Sequence, residues 1–155
     1  MPDDVKKGQC YCGDTRIEVI GPPVIEGFCH CKSCQKYHGA PFQAFAAWPN
    51  ENVTISGPTI TSEVSSQTRR MSCANCGGTV MTLKPENGMS IVFPSTLIGR
   101  GHNFLGSFHI FYGTRSMDVA DGLPKFEDLP DDFGGSGKMI PEPNSSGWLD
   151  HSSTI

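Results

Sequence analysis

Cysteines are the residues of this sequence whose type and spacing most clearly indicate a chemical site. Seven cysteines gather in three short runs with the spacings CxC, CxCxxC and CxxC. They are Cys10 and Cys12, then Cys29, Cys31 and Cys34, then Cys73 and Cys76. Closely spaced cysteines let one tight turn present two thiolates to a single ion, and zinc favours thiolates at tetrahedral corners. The pattern therefore predicts metal sites rather than inert buried thiols, which have no reason to cluster.

The rest of the sequence indicates that the cysteine thiols are reduced. Residues 1–8 carry charges with no apolar stretch behind them, and nowhere do about 18 apolar residues run together. We therefore expect no signal peptide, no membrane span and a cytoplasmic location. In a reducing compartment clustered cysteines point to metal rather than to disulfides. Cysteines one or two residues apart also bridge poorly, and an odd number leaves one thiol over.

Seven cysteines divide naturally into four and three. Four protein ligands close a structural zinc site, whereas three leave a position for water or substrate. Joining the first and last pairs would link distant parts of the chain, and the compact triad would then hold a second, open zinc ion. Spacing alone leaves two alternatives. Cys31 and Cys34 are also a CxxC pair that could complete a four-ligand site, or a single zinc could bind and leave three thiols spare.

Short strands and tight turns must position these cysteines. Of 155 residues, 18 are Gly and 12 are Pro, and no segment shows a sustained helical period. We therefore predict an all-β fold in a single domain. Strands are predicted over 15–20, 24–29, 42–48, 53–56, 59–65, 67–73, 79–83, 89–93 and 109–112, with a turn or one short helix over 32–38.

The composition changes near residue 128. We predict a zinc-binding domain over 1–127 and a mobile C-terminal tail over 128–155, because the tail has too few apolar residues to offset the entropy of ordering it. Trp148 and Leu149 form an isolated apolar pair within it.

Charge argues against nucleic acid as a partner. Lys and Arg number 12 against 16 Asp and Glu, and no basic stripe is present. We expect a small-molecule partner instead, and the sequence carries no signal for the oligomeric state.

The cysteine runs lie in segments that resemble a known family. GQCYCG, FCHCKSCQKYHGAPF and RRMSCANCGG, followed by HIF and DGLPKF, are similar to the glutathione-dependent formaldehyde-activating enzyme family, whose domain is shared with centromere protein V. The resemblance implies a tent-like fold of short antiparallel strands stapled by zinc, with two zinc ions per chain. It implies a structural zinc on Cys10, Cys12, Cys73 and Cys76, and a second zinc on Cys29, Cys31 and Cys34.

The resemblance also implies a reaction, the reversible joining of formaldehyde and glutathione to S-hydroxymethylglutathione. Zinc held by three thiolates is a weaker Lewis acid than zinc held by three histidines, so it suits a substrate thiolate better than hydrolysis. We therefore predict a carbon–sulfur lyase acting on a small thiol–aldehyde adduct. His30 is the candidate for proton transfer, with packing or support of the ligands as the alternative role. The alternative function is a non-catalytic zinc-binding module with structural zincs only.

Overall fold

The computed structural model describes residues 4–97 and 102–143, which are mostly short strands joined by turns. The strands in chain order are β1 (Val5–Gln9), β2 (Arg16–Ile20), β3 (Ile25–Cys29), β4 (Gln43–Pro49), β5 (Val53–Ser56), β6 (Thr59–Ser65), β7 (Thr68–Cys73), β8 (Thr79–Lys84), β9 (Met89–Val92) and β10 (His109–Ile110). Two short helices, α1 (Lys32–His38) and α2 (Pro94–Leu97), accompany them. The predicted all-β class is confirmed.

The described residues fall into two compact units. One is drawn from Met1–Glu26 and Ala44–Gly106, and the other from Gly27–Gln43 and Ser107–Ile155. The first unit carries the outer two cysteine pairs, and the second carries the central triad.

The first unit contains two sets of antiparallel strands. One has the order β1-β2-β5 and the other the order β4-β9-β8-β7-β6. Strand β2 alternates as its sequence predicts, burying Ile17 and Val19 completely. Both sets contribute to one core, which also contains the fully buried Trp48. The Trp48 indole N–H donates to the Gly21 carbonyl at 3.0 Å, so the core leaves this polar atom satisfied.

Strand β1 is one element that sequence patterning does not predict, because Val-Lys-Lys-Gly-Gln contains a single apolar residue. It forms through pairing with β2 along its whole length, with Val5 opposite Ile20. Gly8 permits a close approach, since a Cβ atom there would lie 2.3 Å from the Thr96 carbonyl oxygen. Tertiary contacts therefore override the weak local preference.

The second unit carries α1 and the pair formed by β3 and β10. This pair is parallel, which differs from the expected antiparallel arrangement. The two strands are far apart in the chain, so no hairpin turn dictates their direction. Helix α1 takes the helical alternative expected over 32–38. It ends at His38 and is capped by Gly39, whose φ of 60° suits a residue without a side chain.

The described part of the predicted tail, 128–143, makes specific contacts with the residues before it. The Phe111 N–H donates to the Asp128 carbonyl at 2.7 Å, and the Ile140 N–H donates to the Lys125 carbonyl at 2.7 Å. The Glu142 carboxylate accepts from Lys125 Nζ at 2.7 Å. Composition does not reveal these contacts, because they are backbone hydrogen bonds and an ion pair rather than apolar burial.

The domain boundary at residue 127 stays a prediction, and Trp148 and Leu149 lie outside the described residues. Among the residues that the structure describes, no helix is long and apolar enough to span a membrane.

Candidate metal centres

The outer cysteine pairs form a four-sulfur cluster in the first unit. Cys10 and Cys12 lie in the turn after β1, while Cys73 ends β7 and Cys76 lies in the turn before β8. The four Sγ atoms lie within 4.8 Å of one another, with Cys10–Cys12 at 3.6 Å and Cys12–Cys73 at 3.7 Å. A tetrahedral zinc with Zn–S bonds of about 2.3 Å would separate its sulfurs by about 3.8 Å. The cluster therefore fits one zinc ion.

Backbone N–H groups point at the sulfurs of this cluster. Three of these donors lie 3.4 Å from their sulfur, and the pairs are Thr15 with Cys10, Asn75 with Cys73 and Gly78 with Cys76. The last turn depends on Gly77, whose φ of 71° is strained for other residues. N–H groups aimed at sulfur stabilise the thiolate form, which is the form that binds metal.

The thiols of this cluster cannot all ionise by themselves. A hydrogen bond from the Thr15 side chain, with backbone N–H groups, lowers the pKa of Cys73 to about 6. The Asp14 N–H also lowers the pKa of Cys12, but desolvation and the neighbouring thiols outweigh it and raise that pKa to about 12. Sulfurs this close repel one another as thiolates, so a cation is needed for all four to be ionised together.

The central triad forms a separate cluster in the second unit. Cys29 ends β3, Cys31 caps the N-terminus of α1, and Cys34 lies in the first turn of that helix. Their Sγ atoms lie within 4.8 Å of one another, and the Cys34 N–H donates to Cys31 Sγ at 3.3 Å. The neighbouring thiols of Cys31 and Cys34, together with burial, raise the pKa of Cys29 far above its usual range. This cluster also suits a divalent, thiolate-binding metal.

Among the described residues, no fourth His, Cys, Asp or Glu side chain joins the triad. The group that could hold a metal there consists of the three cysteines and includes neither His30 nor His38. The structure therefore brings together the same sets of four and three sulfurs that the spacing favours. The division into a structural and an open zinc site remains a prediction.

His30 lies in a different environment from the sulfurs on either side of it. Its ring is fully buried and packs on Phe42 and Tyr112, with centroids 4.9 Å from each. His30 Nε2 lies 2.8 Å from His109 Nδ1. Burial, followed by the charge of His109, lowers the pKa of His30 to about 4, so the imidazole is neutral at pH 7. Its Nδ1 atom has no hydrogen-bond partner among the described residues.

The hydrogen bonds continue from His109 into residues to which the sequence assigns no role. His109 Nε2 lies 2.8 Å from Asp121 Oδ2, and Lys125 Nζ donates to Asp121 Oδ1 at 2.8 Å. Desolvation opposes ionisation of Asp121, but hydrogen bonds from Lys125 and His109 outweigh it and lower its pKa to about 2. Lys125 is 1% exposed and also donates to Glu142 and to the Leu123 carbonyl. The available signal was the DGLPKF segment, which contains both Asp121 and Lys125.

A shallow depression of about 490 Å³ lies along α1 in the second unit. Lys32, Gln35 and Lys36 line it together with Ser116 and the turn 39–41. Because α1 also carries Cys34, two ammonium groups and a cluster sulfur share one short helix.

Comparison with known proteins agrees with these observations. A sequence profile of the glutathione-dependent formaldehyde-activating enzyme family matches residues 5–114. A Schizosaccharomyces pombe protein named an uncharacterized lyase is 26% identical over 95 residues, covering 61% of this chain and 69% of that protein. A crystal structure of a Rhodobacter sphaeroides protein has a similar fold, with a TM-score of 0.51 and 18% identity over 60% of this chain and 88% of the other.

The profile match takes in more than half of the chain and all seven cysteines, and on that extent the chain belongs to the glutathione-dependent formaldehyde-activating enzyme family.

Proposed function

We propose that this protein is a zinc-dependent carbon–sulfur lyase that acts on a small thiol–aldehyde adduct, with S-(hydroxymethyl)glutathione as the candidate. One observation carries the proposal: within the described residues the Cys29–Cys31–Cys34 cluster presents three sulfurs and no fourth His, Cys, Asp or Glu ligand. Three protein ligands leave a coordination position for a substrate atom, which is the arrangement typical of catalytic zinc. Membership of the family and the lyase name of the S. pombe relative support the same class of reaction.

The balanced reaction needs no oxidant or reductant. The thiol sulfur forms a bond with the carbonyl carbon of formaldehyde, the carbonyl π bond breaks, and the thiol proton ends on the new hydroxyl oxygen. Zinc bound to the three thiolates would supply a soft Lewis acid that favours the substrate as thiolate. The protein must therefore hold three sulfurs in place, attract the substrate and manage one proton.

The residues of the second unit suit these tasks. Cys29 is buried, while Cys31 and Cys34 are partly exposed, so the cluster has one protected side and one side facing solvent. The depression lined by Lys32 and Lys36 offers positive charge to a carboxylate-bearing thiol such as glutathione. Assignment of proton transfer to His30 remains a prediction.

The test combines metal counting with reaction kinetics. We expect two zinc ions per fully loaded chain by elemental analysis, with zinc-edge absorption showing sulfur as the dominant ligand. Glutathione and formaldehyde combine spontaneously, so the measurement is the exchange rate between free and thiol-bound formaldehyde at equilibrium, followed by NMR. The wild-type protein should raise this rate, and the effect should be larger for glutathione than for 2-mercaptoethanol, which lacks carboxylates.

Cys31→Ala is the matched control, because it removes one sulfur of the triad and leaves the four-sulfur cluster intact. Equal exchange rates with the wild-type protein and this variant would favour the non-catalytic zinc-binding module. A single zinc ion in fully loaded wild-type protein would rule out the proposed open site.

A further inference from the structure

Five polar side chains form a continuous hydrogen-bonded array in the second unit. It runs from His30 to His109, Asp121, Lys125 and Glu142, and its four contacts measure 2.8, 2.8, 2.8 and 2.7 Å. His30, His109 and Lys125 are each no more than 1% exposed. Asp121, Lys125 and Glu142 lie beyond the residues that the family profile matches. The chemistry proposed above gives no task to the array beyond His30.

The array ends inside the segment that carries the triad. Cys29 and Cys31 are the immediate neighbours of His30, so displacement of His30 would displace both of their sulfurs. The His30 N–H donates to the Ile110 carbonyl at 3.0 Å. The His30 carbonyl accepts from Gln35 Nε2 at 2.6 Å and from Thr114 Oγ1 at 3.2 Å. His30 is therefore held by both its backbone and its ring, and the ring contact is the one that reaches the array.

Asp121 determines the direction of the ring contacts. It accepts from Lys125 Nζ at 2.8 Å and from the Leu123 N–H at 3.0 Å, and both donors face Oδ1. The other oxygen, Oδ2, faces His109 Nε2, which must carry a proton because a carboxylate only accepts. His109 Nδ1 then faces His30 Nε2.

Packing alone does not require such an array. Buried ammonium and imidazole groups lose hydration that their hydrogen bonds must replace, whereas apolar side chains of similar volume fill a core without that cost. What the array provides, and apolar packing does not, is one defined orientation of the His30 ring. Side chains that hydrogen bond to the residues around a metal site commonly orient its ligands.

We propose that His109 and Asp121 are positioning residues for the triad: by hydrogen bonding in series to the His30 ring, they hold the Cys29–Cys31 segment so that its sulfurs are set for a metal ion before it binds. Lys125 donates to both Asp121 and Glu142, and these contacts help to hold the Asp121 carboxylate in place. The inference rests on the proposed function in one respect only, because it takes the triad to be a metal site.

The test compares two Asp→Asn variants that make the same chemical change. Asp121→Asn places an amide where the array needs a carboxylate that only accepts. Asp118→Asn is the control, since Asp118 lies three residues away, is 54% exposed and pairs with Arg115 rather than with the array. Full-length protein is titrated with Co²⁺, whose absorption bands report thiolate ligation, in competition with a chelator. The four-sulfur cluster serves as an internal reference in every sample.

We expect Asp121→Asn to weaken Co²⁺ binding at the triad by about 10–100-fold and to change the absorption bands of that site, the range found for groups that orient metal ligands. The affinity of the four-sulfur cluster should not change, and Asp118→Asn should match the wild-type protein at both sites. A purely structural role for Asp121 would lower the unfolding temperature and leave the ratio of the two affinities unchanged. Equal triad affinities in the two variants would likewise overturn the proposal.

A measurement on the wild-type protein covers the case in which Asp121→Asn fails to fold. The imidazole ¹⁵N shifts of His30 and His109 are recorded with one and with two equivalents of Zn²⁺. If the Cys29–Cys31 segment already has its metal-binding conformation, the ¹⁵N shifts should be nearly the same in both samples. A large change in these shifts when a metal ion binds to the triad would refute preorganisation.

Other outcomes separate this inference from the proposed function. Wild-type protein that binds no metal at the triad overturns both. Metal binding that depends on Asp121, without any acceleration of formaldehyde exchange, supports the positioning role and refutes the proposed lyase activity.

Discussion

Removing one sulfur from each cluster should have very different effects on folding. Cys73 and Cys29 are a matched pair for this experiment, because both are buried, at 0% and 7% exposure, and both end a strand. Substitution by alanine therefore removes a similar buried group in each case. The difference lies in which parts of the chain a bound metal ion connects.

The expected magnitudes follow from the lengths of chain that each site closes. A metal ion joining Cys12 to Cys73 closes a loop between residues 61 apart. The chain-entropy relation used for cross-links assigns such a loop about 4 kcal/mol of stabilisation. In the triad the outermost cysteines, Cys29 and Cys34, are separated by only five positions. The same relation gives about 2 kcal/mol for this short loop.

Cys73→Ala should therefore lower the free energy of unfolding by at least about 4 kcal/mol, out of the ~5–15 kcal/mol that stabilises an ordinary domain. Loss of the zinc–ligand bonds adds to this figure, because binding at a structural site is coupled to folding. We expect insoluble or molten protein that binds no metal at the four-sulfur cluster. Cys29→Ala and the more exposed Cys31→Ala should stay folded, keep one zinc ion and lose the second.

The assay is urea unfolding followed by circular dichroism, with zinc counted in the same samples under reducing conditions. Each variant is compared with the wild-type protein loaded to two equivalents of zinc. If Cys29→Ala or Cys31→Ala unfolds the chain as completely as Cys73→Ala, the division into a structural and a reactive set is wrong.

Two further predictions concern the ends and turns of the chain. A chain that stops at residue 127 should have a lower unfolding temperature than one that stops at residue 143, because it loses the Glu142–Lys125 ion pair and the backbone hydrogen bonds of 128–143. Equal melting curves for the two would show that these contacts contribute nothing. Gly57→Ala should destabilise the protein by more than ~2 kcal/mol, since its Cβ would lie 2.2 Å from the Asp14 carbonyl oxygen at a φ of 98°. Gly21→Ala is the control, because Gly21 has a φ of 74° and no atom lies within 4 Å of the added Cβ. This substitution should cost only about 1 kcal/mol in the same urea titration.

The sequence predicts the strands whose own pattern is strong. Strand β2 alternates polar and apolar residues, and it forms at 16–20, close to the expected 15–20. Strand β1 has no such pattern and depends on a neighbour that pairs with it. Strand β10 is expected over 109–112 but ends at Ile110, because Phe111 takes a φ of 52° and a 3-10 turn follows. Strand ends of this kind reflect contacts that a local window of sequence does not contain.

The cysteine spacing by itself predicted that this chain could hold a thiolate-binding metal, since CxC and CxxC runs bring sulfurs together whatever surrounds them. It could not decide which runs share an ion, because residues 61 apart meet only when β1 and β7 have been placed by their sheets. Nor could it connect His30 with His109, Asp121 and Glu142, which lie on separate segments and meet through directional hydrogen bonds. Local spacing is a property of the covalent chain, whereas a buried hydrogen-bonded array exists only after the chain has folded.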